Sequence, residues 1–333
     1  MKYQISNVLI FSFIAIIFGF SFVFAQMGFP AISSFSGEDF SLDVSPDIPF
    51  PGAEVSASLA SNSFDLDRSK ITWIHNGKIV LEGTGKKQYQ FKAGSLGREE
   101  TIKAVVISPS GNKLERVRSF ILADVDLLWE AKTSRPVFYP GKALPVLRSK
   151  VKIVAEPHFI LEGKRISPKN LIYKWFLGDE LFQEQSGFGR QSFEFQIPII
   201  AFQGQEARVE VSSSKETFKA VKTIFIPASE PKVLIYEEHP LQGPKFSRAL
   251  AESFSATSQS QIDFRAEPYY FSSPFLVYNW FANGVAAKKE PPFNLLNLKI
   301  SEGFLGGILL NLIVENNDNP LETKETNVKI NVE

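Results

Sequence analysis

Cysteine is absent from the 333-residue sequence. A thiol nucleophile, a thiolate metal site and a lipidated N-terminal cysteine are therefore excluded. Disulfide bonds are excluded as well, so each folded unit must be stabilised by packing of its own core, which domains of about 100 residues can achieve. The composition fits that demand, because 44% of the residues are hydrophobic and 22% are charged.

An excess of charge of one sign is also missing, because 36 lysine and arginine residues balance 36 aspartate and glutamate residues. The sequence thus offers no electrostatic attraction to nucleic acid or to an acidic surface. We expect no nucleic-acid partner.

Histidine is scarce and occurs only as His75, His158 and His239. A general base needs a partner within hydrogen-bond reach; three scattered residues predict no such site, and we expect each at the surface. The sequence also lacks the motifs of a serine nucleophile elbow, a zinc-binding His-Glu-x-x-His helix and a phosphate-binding loop. We therefore predict a protein that is not an enzyme and that uses no cofactor.

A long hydrophobic run occurs once, from Val8 to Phe24, behind a polar start that carries Lys2. Because the small residue Ala25 ends the run, residues 1–25 are predicted to be a secretory signal peptide. The run also approaches the length of a membrane span, so retention as an N-terminal anchor is the alternative. Either way we expect the remainder outside the cytoplasm, with membrane contact only through this segment. Residues 26–38, rich in small residues, are predicted to be a flexible spacer.

The pattern that recurs along the rest of the chain is a tryptophan inside a short apolar segment. Trp73, Trp175 and Trp280 lie about 100 residues apart, the length of a small domain. Each is followed within a few residues by a glycine suited to a turn: Gly77, Gly178 and Gly284. We expect the tryptophans in hydrophobic cores and the glycines in turns.

Alternation of apolar and polar residues around these motifs predicts β-strands, as in residues 103–108 and 207–211. Long windows with the 3.6-residue period of a helix are missing. The sequence therefore predicts an all-β chain of three tandem β-sandwich domains. Their expected bounds are residues 39–123, 124–228 and 229–333.

The motif Tyr-x-Trp-x-x-Gly-Asp at residues 173–179, and its relative at residues 278–284, resemble a strand of polycystic-kidney-disease (PKD)-type and immunoglobulin-like domains. In those domains the tryptophan fills the space between two sheets. PKD-type domains usually carry an acidic residue after the tryptophan, where this chain has Ile74, Phe176 and Phe281. The resemblance extends to repeated modules of bacterial exported envelope proteins, and it implies a spacer, an adhesive stalk or an assembly surface.

Consecutive aromatic residues in the third predicted domain, Tyr269, Tyr270 and Phe271, form a candidate contact surface. Side chains alternate between the faces of a strand, so the three are not expected to point into one core. Packing against a neighbouring domain is one expectation; an exposed surface that binds a protein or stacks on a sugar is the other. The residues that open the second and third predicted domains are candidates for the same seam: Trp129 and Tyr236.

Asp124 and Asp126 lie at the first predicted junction and are the best placed of several carboxylate pairs for calcium. Calcium takes about six to eight oxygen ligands, and this pair supplies only part of such a set. Solvated charges are therefore the expectation, with calcium binding left open.

Two functions follow from these patterns. The first is a non-enzymatic exported cell-envelope protein, a structural, adhesive or assembly component that contacts an envelope or surface protein, for example in a pilus or secretion apparatus. The second is a carbohydrate-binding surface protein that uses exposed aromatic residues of the third domain.

Overall fold

The computed structural model describes residues 37–215, 218–250, 253–288 and 290–333. The predicted signal peptide, and residues 26–36 of the predicted spacer, lie outside these ranges. The described chain confirms the all-β prediction, because it consists of β-strands and three short 3-10 helices, Leu66–Arg68, Pro168–Asn170 and Gln183–Gln185. Within the same ranges, no helix is long and apolar enough to cross a membrane.

The first hydrophobic core is enclosed by strands β1 (Ser41–Ser45), β2 (Glu54–Ala60), β3 (Lys70–His75), β4 (Lys78–Thr84), β5 (Gln88–Lys92), β6 (Glu99–Ile107) and β7 (Lys113–Leu122). A sheet of order β1-β2-β5 faces strands of order β4-β3-β6-β7. Every second residue points inward, as with Val55, Ala57 and Leu59 of β2, and the inward residues of both sheets form one buried cluster.

The second core is enclosed by β8 (Asp124–Ala131), β9 (Lys150–His158), β10 (Ile160–Leu161), β11 (Lys164–Arg165), β12 (Leu171–Leu177), β13 (Glu180–Leu181), β14 (Gly187–Phe188), β15 (Ser192–Gln196), β16 (Gly204–Ser213) and β17 (Phe218–Pro227). The sheet β15-β9-β8 faces β13-β12-β16-β17, and β14 also pairs with β12. Buried residues of both sheets again form one cluster.

The third core is enclosed by β18 (Lys232–His239), β19 (Gly243–Pro244), β20 (Ser253–Ala256), β21 (Gln261–Tyr269), β22 (Leu276–Ala282), β23 (Val285–Ala286), β24 (Leu295–Lys299), β25 (Gly306–Asn316) and β26 (Thr323–Val332). The sheet β19-β18-β21-β24 faces β20-β26-β25-β22-β23 across a third cluster. The three cores thus repeat one arrangement of a smaller and a larger sheet.

In each core, one tryptophan packs between the two sheets. Trp73, Trp175 and Trp280 are 0%, 0% and 5% exposed. Each indole Nε1 donates a hydrogen bond to a later backbone carbonyl oxygen: Lys86 at 2.8 Å, Arg190 at 2.8 Å and Phe293 at 3.2 Å. Each acceptor lies shortly before a strand of the opposite sheet (β5, β15 or β24), so the bond links the tryptophan strand to that sheet.

The glycines after these tryptophans lie in turns with positive φ angles. Asn76 and Gly77 connect β3 to β4 with φ angles of 48° and 79°, and Asn283 and Gly284 connect β22 to β23 with 46° and 79°. Two consecutive left-handed residues are the geometry of a tight hairpin turn, which asparagine and glycine adopt at low cost. Gly178, with a φ of 59°, begins the turn from β12 to β13.

The first and second cores share a sheet. The end of β7 pairs in parallel with the start of β17 at Ile121 with Phe218 and at Leu122 with Lys219. Only Ala123 separates β7 from β8, so no flexible linker lies at this expected domain boundary. Residues 39–333 accordingly form one compact unit.

Trp175→Ala should lower the free energy of unfolding by about 3–5 kcal/mol, because it removes a fully buried indole. Differential scanning calorimetry measures this loss. Leu128→Ala is the control, since Leu128 lies on the neighbouring sheet with 60% of its side chain exposed and should change the value by less than about 0.5 kcal/mol. Equal effects of the two substitutions would contradict the role of the indole.

Candidate functional site

A segment between β8 and β9, residues 133–147, crosses from the second core to the third, and we call it the strap. Near its start, the Ser134 amide donates to the Phe271 carbonyl and the Tyr270 amide donates to the Ser134 carbonyl, both at 2.7 Å. Near its end, the Ser229 amide donates to the Pro145 carbonyl at 2.8 Å. The strap, which leaves the second core after β8, is therefore bound through backbone hydrogen bonds to the third core and to the segment between β17 and β18.

The aromatic residues Tyr269, Tyr270 and Phe271 meet the strap and are all buried, with exposures of 5%, 4% and 0%. Tyr270 has a φ of 67°, in the left-handed region that residues with side chains seldom adopt. This angle ends the alternation of β21, so Phe271 enters the third core while Tyr270 turns toward the strap. The three side chains therefore do not point into one core, as strand alternation led us to expect. Phe271 lies in the third core, whereas Tyr269 and Tyr270 pack against the strap that comes from the preceding part of the chain.

The buried position of these rings corrects the expectation that Tyr269, Tyr270 and Phe271 form an exposed surface for a sugar. A platform that stacks on sugars needs an open ring face, and Tyr269, Tyr270 and Phe271 present none at the surface. Phe275, four residues further on, is 80% exposed.

Tyrosine hydroxyl groups and rings hold the junction together. Tyr269, Tyr270 and Val146 form a buried cluster against which Tyr139 of the strap packs. The hydroxyl oxygens of Tyr236 and Tyr269 are 3.0 Å apart, and those of Tyr270 and Tyr139 are 3.4 Å apart. Burial, together with the Tyr139 hydroxyl, raises the pKa of Tyr270 to about 12, so the Tyr270 hydroxyl group stays protonated near neutral pH.

A groove of about 420 Å³ lies beside this cluster, between the strap and the outer face of β18. Phe138 of the strap stacks on Phe246 with ring centroids 3.6 Å apart and meets the Tyr236 ring edge-on at 5.7 Å. Lys232 and Leu234 of β18 line the opposite wall and are exposed. The groove is thus aromatic inside and carries one cation at its rim.

The strap also packs back onto the second core. Lys142 Nζ lies 3.2 Å from the ring centroid of Trp129, a cation–π contact. Burial of Lys142 lowers the pKa of its ammonium group. Trp129 and Tyr236, expected at one seam, therefore contact two parts of the same strap.

A buried carboxylate, Glu322, stabilises the loop between β25 and β26 at this junction. Glu322 is 1% exposed and accepts hydrogen bonds from Asn316 Nδ2 at 2.6 Å, Asn319 Nδ2 at 2.8 Å and the Ser272 amide at 2.8 Å. Asn319 Nδ2 also donates to the Leu147 carbonyl at 3.0 Å, at the end of the strap. Sequence reasoning missed this network, although the Asn-Asn-Asp-Asn-Pro run at residues 316–320 signalled a structured turn.

A second buried carboxylate, Glu100, lies in the first core and contacts His75, which was expected at the surface. His75 Nε2 lies 2.7 Å from Glu100 Oε2 and its Nδ1 lies 3.1 Å from the Tyr89 hydroxyl. Asn76 Nδ2 and the Gly94 amide also donate to Glu100, at 2.5 Å and 3.1 Å. Burial alone would raise the pKa of Glu100, but the hydrogen bonds outweigh it and the pKa lies below its usual value.

The remaining histidines and the candidate calcium ligands have local partners. His158 Nε2 lies 3.0 Å from Asp126 Oδ2, and His239 Nδ1 accepts from the amides of the two residues that follow Pro240. Asp124 Oδ1 accepts from the Val125 amide at 2.8 Å. Among the described residues, no group of three or more histidine, aspartate or glutamate side chains is placed to hold a metal ion.

The strand orders and the buried tryptophans together decide the fold. A small sheet faces a larger one around each core, with the tryptophan strand in the larger sheet. The fold is that of immunoglobulin-like β-sandwiches in tandem.

Several solved structures resemble this chain. The three N-terminal domains of the bacteriophage RB49 highly immunogenic outer capsid protein share 13% identity over 89% of this chain and 99% of that chain, with a TM-score of 0.25. The fibronectin(III)-like modules of Clostridium thermocellum CbhA share 14% sequence identity over 57% of this chain and 94% of that chain, with a TM-score of 0.29. Bacteroides ovatus SGBP-B, in complex with a mixed-linkage heptasaccharide, shares 12% sequence identity over 89% of this chain and 71% of that chain, with a TM-score of 0.19.

No protein-family model and no curated protein matches the sequence. The fold assignment therefore rests on the strand order and cores of the chain itself.

Tyr270→Ala should expose the strap to proteolysis, because it removes the ring and hydroxyl that hold Tyr139. Val137 at the tip of the strap is 99% exposed, so cleavage is expected near it once the backbone is released. Limited proteolysis followed by mass spectrometry identifies the cut. Phe275→Ala, at an exposed ring in the same loop, should leave the strap as resistant as in the unmodified chain; cleavage that is identical in both variants would contradict the prediction.

Glu100→Gln should destabilise the first core at pH 7 by about 1–3 kcal/mol, because the buried acceptor loses its charge. A carboxyl group whose folded pKa is lowered stabilises the fold above its unfolded pKa and loses that contribution as the pH falls. The difference between the unmodified chain and the variant should therefore shrink below about pH 4, as measured by urea unfolding across pH. The exposed neighbour Glu99→Gln is the control; a difference that stays constant with pH would contradict the assignment.

Proposed function

We propose that this chain is a non-enzymatic exported protein of the cell envelope, a structural, adhesive or assembly component that acts through protein–protein contacts, for example in a pilus or secretion apparatus. The observation that carries the proposal is that successive cores are joined by packed structure. A chain built in this way presents surfaces at set positions relative to one another, which is what a scaffold or an assembly component requires.

Both junctions support this role. β7 runs almost directly into β8 and pairs with β17, so the first junction is part of a sheet. At the second junction the strap, the tyrosine cluster and the Glu322 network contribute backbone, ring and charged contacts together. We also propose that the three cores correspond to three domains with the expected bounds, residues 39–123, 124–228 and 229–333.

Several apolar side chains on the sheets are exposed to solvent and are available for contacts with another protein. Phe188 is 63% exposed, Phe225 is 56% exposed and Leu309 is 50% exposed. Phe225 lies on β17 and Phe188 on β14, both in the sheet shared by the first two cores.

The environments of the histidines support a non-catalytic role. His75 is held between a tyrosine and a buried glutamate, His158 pairs with an aspartate, and His239 accepts from nearby backbone amides. Each histidine thus has a structural contact of its own, far along the chain from the others. Export is supported by the sequence of residues 1–25.

Cross-linking of intact native cells, followed by capture of this chain and mass spectrometry, tests the proposal. We expect one dominant envelope protein among the captured partners and an N-terminus at Gln26; an intact Met1 would indicate an anchored form. Tyr270→Ala should reduce capture of that partner at equal export, and Leu128→Ala should not. Retention on isolated cell-wall or capsule glycan without a protein partner would contradict the proposal and favour the carbohydrate alternative.

A further inference from the structure

The aromatic groove beside the strap lies on the outer face of the β18-β21-β24 sheet and is open to solvent. The groove has a volume of about 420 Å³ and is lined mainly by aromatic rings. Two of its apolar side chains are accessible to solvent, since Leu234 is 38% exposed and Phe138 is 36% exposed. The single charged side chain in its lining is Lys232. A groove with these properties would bind an apolar peptide segment that has a carboxylate side chain beside it.

A second apolar feature borders the same face of the sheet. The loop before β24 exposes Glu290, Pro291 and Pro292, followed by Phe293, whose side chain is 51% exposed. Its backbone is anchored, since the Phe293 carbonyl accepts from Trp280 Nε1 at 3.2 Å and the Leu295 amide donates to the Pro292 carbonyl at 2.9 Å. A proline-rich apolar segment held in place loses little conformational freedom on binding.

The position of this loop is set by the sheet. Together with Glu238, Asp263 and Asn297, which form one row across β18, β21 and β24, it lines an open cleft of about 590 Å³. The groove lies over β18 at one side of the sheet and the loop precedes β24 at the other, with β21 between them. Groove and loop therefore share one face on opposite sides of a central strand.

This arrangement has the symmetry that a closed pair requires. A two-fold axis near β21 would place the loop of each copy over the groove of the other, so that both contacts form at once and no surface is left to propagate a chain. The charges agree with it: Lys232 lies in the groove, and Glu290 lies in the loop, where it now pairs with Lys288 at 2.5 Å.

We propose that two copies of this chain associate through the outer faces of their β18-β21-β24 sheets, with residues 291–293 of each copy in the strap groove of the other and Lys232 facing the second copy's Glu290. The second copy is one protein partner in the sense of the proposed function. The contact itself depends neither on export nor on the identity of any further partner.

The absence of cysteine makes this contact directly testable. Two full-length chains with different tags, one carrying Leu234→Cys and the other Phe293→Cys, are co-expressed in the native cells and oxidised. A disulfide-linked pair that contains both tags is expected, because the groove of one copy meets the loop of the other. Both positions are exposed, so the substitutions should not disturb folding.

The matched control replaces Phe293→Cys with Leu309→Cys, which is 50% exposed but lies on β25 of the opposite sheet. Its yield of linked pairs should be several-fold lower. Equal yields from the two combinations, or no linked pair, would overturn the proposal. A linked adduct of the Leu234→Cys chain with a different protein would overturn it too, and would assign the groove to that protein.

Charge reversal separates a specific contact from random encounter. Lys232→Glu in the Leu234→Cys chain should lower the yield of linked pairs by about two- to fivefold, the range of a surface ion pair. Glu290→Lys in the Phe293→Cys chain should restore it. A yield unaffected by either reversal would contradict the proposed orientation. The partner capture described above can succeed while this experiment fails, so the two proposals are tested separately.

Discussion

A hydrogen bond from a buried indole to a backbone carbonyl beside the opposite sheet is the interaction on which each core depends. The tryptophan fills the space between the sheets, but its N–H would be costly to bury without an acceptor. In all three cores the acceptor lies in the chain that next enters the smaller sheet. A single side chain therefore supplies apolar volume and also sets where the chain crosses between the sheets.

The second constraint is the backbone of the strap. Its polar groups are covered by the third core and need partners there, which Tyr270, Phe271 and Asn319 provide. The left-handed angle of Tyr270 costs about 1–3 kcal/mol in itself, and the contacts around it must offset that cost. The strained backbone of Tyr270 and the contacts that stabilise it lie at the same residue, so the junction has a defined geometry. Such a geometry suits a component that positions surfaces for other proteins.

Two buried carboxylates also restrict the geometry of the packing. Glu322 at the second junction and Glu100 in the first core are each surrounded by amide donors, so their desolvation is compensated by several hydrogen bonds. A buried charge is satisfied in few arrangements, whereas apolar contacts tolerate many. We infer that the two networks contribute to the precision of the packing as well as to its stability.

The sequence by itself determined the strands, the turns and the three tryptophan cores, because side-chain alternation and turn chemistry are local properties of a few neighbouring residues. It also singled out Tyr269 to Phe271 and offered packing against a neighbouring domain, but it did not say which segment covers them. Only the tertiary structure decided that residues 133–147 form a strap, that Tyr270 leaves strand geometry and that Glu322 finds its partners there. These outcomes depend on segments distant in the chain, and no local periodicity records which face of a sheet another segment will cover.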